Sequence, residues 1–317
     1  ARLSVLALAK AERYRPVFAA IMLLPMSLFM GASLSYDATL LGCYYLMLAL
    51  LTRKEWNTQT AGIYTAACIF VNIAKPYLNL LWVLPIFLVA KREWHAKGRR
   101  PLWALGAFGG AMAVTLLTEW YGTAFRYNYP MIERQGGSTV NGGEQLAFVL
   151  RNPLRTIAAF WGTLGENDFF IGQLGLFGWK DLPISFLNLT SPLVLLLAAL
   201  LAAAQPKRAD AFPTRRRVGG AALLALVYAA GAMAAMYITY TPVGMVRIVG
   251  LQARYFLCVW LALLLALAVL LRKTIRPAIT EEKAEAVITP LCACYAVFGA
   301  VLLFQHYFVG PVYVVYA

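Results

Sequence analysis

The chain is poor in charge and nearly devoid of histidine. Only 13% of its 317 residues are Asp, Glu, Lys or Arg, and two are His. No HExxH pair, phosphate-cradling Gly-Lys loop, GxGxxG after a strand or Ser/His/Asp set can be placed. Zinc hydrolases, P-loop NTPases, dinucleotide enzymes and serine hydrolases are therefore set aside. Internal repeats, low-complexity tracts and Gly/Ser linkers are missing too, so residues 1–317 read as one integral domain. Residues 1–9 carry no cleavage-site pattern and are not read as a signal peptide. A start at Ala rather than Met is consistent with a missing N-terminal part. The five cysteines all fall inside apolar runs, and they read as small buried hydrophobes rather than metal ligands or disulfides.

What the chain has is apolar sequence. Hydrophobic residues make up 61% of it and the mean hydropathy is +0.67, with the excess gathered in long runs. This predicts an all-α, polytopic transmembrane helical bundle. Apolar runs at 17–35, 38–51, 57–74, 77–90, 102–121, 185–204, 219–239, 255–271 and 287–308 give about nine spans. Pro25, Lys75-Pro76 and Pro85 interrupt the early ones. Residues 119–184 hold no run long enough to cross and read as one outer-face loop. Within it, 144–161 has Leu146, Val149, Leu150, Leu154, Ile157, Ala158 and Trp161 along one side, the pattern of a helix lying in the membrane interface.

The net charge of +14 does not indicate nucleic acid, because the basic residues lie in short clusters between apolar runs. Clusters around 10–15, 53–54, 91–100, 207–217 and 272–283 alternate with loops much poorer in Lys and Arg. The positive-inside rule makes the basic side cytoplasmic. Asp37, Lys75, the loop 119–184 and Arg254 are then expected together on the outer face. That convergence carries the functional expectation.

Arg254 enters an apolar run, and a guanidinium there costs from roughly 3 to over 10 kcal/mol unless it has a partner. It can serve as a fork for phosphate or carboxylate, or it can snorkel to headgroups and pair for structure. Lys75 precedes Pro76 at a broken helix, where a point charge suits a phosphate and an interfacial anchor suits the same residue. Arg247 is the third basic candidate, more exposed by context. Asp37 caps a helix, pairs with Lys75 or Arg254, or serves as a catalytic carboxylate. Glu166 and Asp168 share one turn, which would suit general-base work or a divalent cation, or would simply be solvated. Tyr36, Tyr77, Gln252, Tyr255 and Trp179 are candidate substrate contacts. The aromatic density of the outer segments fits an interfacial belt as well as it fits sugar stacking.

Three motifs in order resemble one family: Ser33-Leu34-Ser35-Tyr36-Asp37-Ala38, Lys75-Pro76-Tyr77 followed by an apolar run to Pro85, and Gly250-Leu251-Gln252-Ala253-Arg254-Tyr255-Phe256. With Phe177-Gly178-Trp179, they are similar to the bacterial polytopic family called domain of unknown function 2142, over nearly the whole chain. Ala253 departs from the Gly usual there, and Ala resists positive φ. The resemblance implies a C-type glycosyltransferase-like enzyme of the bacterial cytoplasmic (inner) membrane. Such an enzyme takes sugar from a polyprenyl-phosphate donor at the outer face and passes it to a saccharide or lipid-linked acceptor in cell-envelope synthesis. It also implies a donor phosphate held by basic residues, here Lys75, Arg254 and Arg247. The family's Pro-Asp-Glu signature is not found in this sequence, so the catalytic base is not assigned by it. A flippase of lipid-linked saccharides and a non-catalytic assembly subunit remain the alternatives. A flippase should show an inverted repeat, and none is visible.

Overall fold

The computed structural model describes residues 2–11, 14–33, 36–73, 77–125, 140–165, 174–177, 182–205, 215–251 and 253–309. Within them the protein is all-α apart from one antiparallel pair of two-residue strands, Leu176–Phe177 and Leu182–Pro183.

The first helices are α1 (Arg2–Lys10), α2 (Arg15–Met22), α3 (Pro25–Ala32) and α4 (Tyr36–Leu51). α2 and α3 are one apolar stretch bent by 63°. The cause is Pro25, which has no N–H for the Ile21 carbonyl. The Ser27 hydroxyl donates to that carbonyl at 2.5 Å instead, and it lies 3.1 Å from the Tyr45 hydroxyl. Without such a substitute, a bare carbonyl would be left in an apolar interior. Packing here relies on missing side chains, as is usual between helices in lipid. A Cβ on Gly299 would sit 2.3 Å from the Pro25 ring, and one on Gly42 would sit 3.0 Å from Leu3. α4 is the axis of the bundle. Every residue from Leu40 to Leu51 is buried, which is why it shows no amphipathic stripe.

A broken hairpin follows. α5 (Thr58–Phe70) leads to a turn, then to a 3-10 helix (Leu78–Val83) and the one-turn α6 (Pro85–Leu88). Its two limbs close at their base: the Trp56 N–H donates to the Glu93 carbonyl at 2.9 Å, and the His95 N–H donates to the Trp56 carbonyl at 2.8 Å. The longer helices are α7 (Arg100–Phe125), α10 (Ser185–Ala203), α11 (Arg215–Thr239), α12 (Leu257–Leu271) and α13 (Glu281–Phe304). α8 (Gly142–Arg151) and α9 (Pro153–Leu164) are short. Asn152-Pro153 divides the single interfacial helix expected over 144–161.

Among the described residues, five helices are long and apolar enough to cross a membrane, or six if the bent α2–α3 pair is one span. That is fewer than the nine or so expected from apolar runs. The remaining three segments are shorter. α4 has 16 residues and α5 has 13, so they reach about 24 and 20 Å at 1.5 Å per residue. The third is the Leu78–Leu88 limb, whose course is cut by a change of helix type at Leu84-Pro85.

The two ends of the bundle differ. At one, Thr52 reaches the Ala11 carbonyl (3.3 Å) and the Lys97 N–H reaches Thr58 (3.0 Å). The Ala278 N–H also meets the Ala204 carbonyl there (3.0 Å), and Arg15 pairs with Glu285 (3.5 Å). This is the basic end, where most of the Lys/Arg clusters sit. Here Arg217, fully buried at the start of α11, forms an ion pair with Glu93 at 2.8 Å. It also donates to the carbonyls of Arg53 (2.6 Å) and Lys54 (3.2 Å). Glu93 in turn accepts from the Ala90 N–H at 3.0 Å. One guanidinium thus fastens three segments.

Candidate functional site

At the opposite end, Met30, Asp37, Leu40, Leu41, Tyr44, Tyr228, Arg254 and Tyr255 line a cleft. Four of these residues form one stripe of α4. Positions 37, 40, 41 and 44 follow the i, i+3, i+4, i+7 spacing of a single helix face. Asp37 lies in the first turn of α4, where the helix dipole favours a carboxylate. Arg254 lies in the 3-10 turn Ala253–Phe256 that opens α12. α4 and α12 pack against each other and begin at the same end, so a carboxylate and a guanidinium more than two hundred residues apart share one cleft.

Tyr255 lies within hydrogen-bonding reach of Arg254 and in the field of Asp37 and Tyr36. Tyr44 and Tyr228 form the floor. The Tyr44 hydroxyl donates to Asn79 Oδ1 of the 3-10 limb, and its oxygen lies 3.1 Å from the Tyr228 hydroxyl. The Asn79 amide group donates to the Val71 carbonyl at 2.9 Å, a carbonyl freed where α5 ends. The broken hairpin therefore buttresses the floor, and the carbonyl freed at Val71 is satisfied by the Asn79 side chain. As it stands, the cleft is nearly filled by its own side chains. About 20 Å³ is open to water-sized occupants, room for roughly one molecule.

The segment 240–251 leads into this site as a strap. The Thr241 hydroxyl accepts from the Val249 N–H at 3.1 Å, and the Tyr237 hydroxyl donates to the Met245 carbonyl at 2.8 Å. Gly250 has φ +75°, and a Cβ there would meet the Tyr240 ring at 2.6 Å. The demand for glycine in the Gly-Leu-Gln-Ala-Arg-Tyr-Phe motif thus falls on Gly250. The backbone at Ala253 enters a 3-10 turn.

Of the residues singled out in the sequence, Asp37, Arg254 and Tyr255 come together. Tyr36 and Tyr77 are exposed and lie outside the lining, as does Arg247 on the strap. Tyr77 has φ 62° and ψ −62°, a γ-turn geometry that is strained for a residue with a Cβ. Lys75, Gln252, Glu166, Asp168 and Trp179 lie outside the described residues. Phe177 of the Phe-Gly-Trp element is buried edge-on against Phe29, ring centroids 5.4 Å apart. Sequence reasoning missed Tyr44, Tyr228 and Asn79. The signal for Tyr44 was present, since it stands two helical turns beyond Asp37. Four of the cysteines are buried as expected, but Cys294 is exposed on α13. Among the described residues, no three of His, Cys, Asp and Glu are grouped to hold a metal ion.

An acid, a guanidinium and three phenols at a membrane-spanning bundle's end can take an anion and a hydroxyl-bearing group side by side. Residues 1–279 match the family described as predicted membrane protein (DUF2142). The chain belongs to this family. No curated protein and no solved structure matches it. Membership in the DUF2142 family covers the whole cleft, because Asp37, Tyr44, Tyr228, Arg254 and Tyr255 all fall inside the matched residues. It also covers the Arg217 fastening at the other end.

Proposed function

We propose that this DUF2142 protein is an integral-membrane glycosyltransferase of C-type architecture. It would use a polyprenyl-phosphate-linked sugar at the outer face of the bacterial cytoplasmic membrane. The observation that supports this reading is the shared cleft of Asp37 and Arg254 at the end away from the basic clusters. By the positive-inside rule that end is the outer one.

In this reading Arg254 holds the donor phosphate, joined by Arg247 from the strap and by Lys75. The acceptor hydroxyl attacks the anomeric carbon while the bond from that carbon to the phosphate oxygen breaks. The phosphate departs with its lipid, its charge stabilised by the guanidinium. The hydroxyl proton passes to Asp37, the candidate general base. Tyr44, Tyr228 and Tyr255 contribute hydroxyls for orienting sugar or acceptor. Because the cleft has room for about one water, a sugar is admitted only when the strap moves aside.

The test is transfer of labelled sugar from a polyprenyl-phosphate donor in proteoliposomes, with envelope glycan as acceptor. Arg254→Ala and Asp37→Asn should each abolish transfer while the protein stays monodisperse in detergent. Near wild-type transfer by both variants removes the assignment. Donor binding that survives Asp37→Asn but not Arg254→Ala supports the division of roles. Movement of lipid-linked sugar across the bilayer without transfer would instead favour the flippase.

A further inference from the structure

The α8–α9 pair is turned inside out relative to a soluble amphipathic helix. Three of its uncharged polar side chains face inward: Gln145 is fully buried, and Thr156 and Thr163 are buried as well. Val149 and Phe160 pack inward against the core, but five large apolar side chains face outward. Leu150 is 75% exposed, Leu154 79%, Ile157 62% and Trp161 75%. With Leu146 they form one row that continues across the Asn152-Pro153 break. The exposed Arg151 and Arg155 stand beside it.

Two of the inward polar groups, Gln145 and Thr163, bond to a neighbouring segment. Gln145 Oε1 accepts from the Gly244 N–H at 2.9 Å, and the Thr163 hydroxyl accepts from the Ile248 N–H at 2.9 Å. Both amides belong to the strap that carries Arg247 and ends at Arg254. Phe160 of α9 packs edge-on against Tyr237 of α11 with centroids 5.6 Å apart. Asn141 caps α8, and the start of that helix lies against the Ile238 carbonyl near the end of α11. The pair therefore sits at the level where a membrane-crossing helix ends.

We propose that α8–α9 lies in the phospholipid headgroup layer at the cleft end, and that Gln145 and Thr163 are positioning residues that tie the strap to it. The lipid surface then sets the position of the strap relative to the bundle. The occupant is lipid because the row is at the end of α11, inside a protein that already spans the bilayer. Its flanking arginines also match lipid phosphate, and outward apolar rows with flanking Arg are the mark of interfacial helices. This inference stands apart from the glycosyltransferase reading, since it needs neither donor nor transfer.

The test places a nitroxide at Leu154→Cys or Ile157→Cys in a Cys294→Ala background, because Cys294 is the exposed cysteine. The protein is held in nanodiscs of phosphatidylethanolamine and phosphatidylglycerol. Collision with oxygen relative to a water-soluble nickel chelate should be several-fold higher there than for a label at the exposed Glu144. Nickel access equal to that at Glu144, or spin–spin broadening from a second copy, overturns the lipid assignment. The coupling is read by amide exchange. In nanodiscs, Leu154→Glu with Ile157→Glu, or the milder Leu154→Ser, should speed exchange at Gly244 and Ile248 several-fold, with α12 unchanged. Thr163→Val should speed exchange at Ile248 while leaving the label's depth unchanged, a pattern that general unfolding does not give. Unchanged exchange at Gly244 and Ile248 in these variants overturns the coupling.

Discussion

Two arginines at opposite ends of the bundle show how differently one charge can be housed. Arg217 is fully buried and closed in by the Glu93 carboxylate and two backbone carbonyls. Arg254 is half-buried and lines a cleft with a carboxylate and three phenols around it. The first is a fastening, because its donors are committed to segments that hold one another in place. The second is a lining, with the side chains of Asp37, Tyr44, Tyr228 and Tyr255 in the same cleft. On the proposed reading, a costly charge in an apolar chain signals function where it lines a cleft rather than where it clasps backbone.

The largest effect that would test this contrast is on stability at the basic end. Arg217→Ala strands Glu93 and two carbonyls, and it should destabilise the protein by about 3–5 kcal/mol, the range for breaking a buried pair from one side. Thermal unfolding in detergent measures it. Arg254→Ala should change the same midpoint far less while abolishing sugar transfer. Reversed outcomes would break the comparison. A smaller effect is expected from Tyr44→Phe, which removes the hydroxyl that donates to Asn79 Oδ1 under the cleft floor. It should cost about 1–3 kcal/mol, the penalty for a buried unsatisfied group, and it should also weaken transfer. Stability loss without an effect on transfer would mark the floor as structural like the basic end. Ser27→Ala should cost about 1–2 kcal/mol by exposing the Ile21 carbonyl, seen as a lowered midpoint with donor binding intact. Smallest is Tyr77→Gly. It relieves a positive-φ residue and should stabilise the hairpin by about 1 kcal/mol, read as slower amide exchange through Leu78–Val83.

The long helices were legible because an apolar run needs no tertiary information. The runs at 185–204 and 219–239 appear as Ser185–Ala203 and Arg215–Thr239. The short segments were not, since hydropathy counts apolar residues and is blind to whether they share one axis. Pro153 was the readable mark of the α8–α9 division, as Pro favours the first turn of a helix. Asp37 and Arg254 could be picked out because charge next to an apolar run is expensive. Tyr44 was marked only by its spacing of two helical turns from Asp37, and Tyr228 not at all, because a tyrosine inside such a run looks like any other large apolar residue. Arg217 was hidden by its neighbours: in a run of three arginines, the buried one looks the same as the solvated ones. Its partners, Arg53, Lys54 and Glu93, are distant in sequence, and only the folded chain brings them together.

The fastening by Arg217 predicts an order in biogenesis. The segments it joins emerge from the ribosome at residues 53–54 and 90–93, and their clasp follows more than a hundred residues later, about 6–25 s at ordinary translation rates. Until then the hairpin base holds Glu93 without its cation, and the N-terminal half should remain open to membrane proteases. A nascent chain arrested before residue 215 is expected to be cut near 53–54 or 90–93, and one extended through α11 to resist. Equal protection of both lengths would show that the early segments lock by themselves.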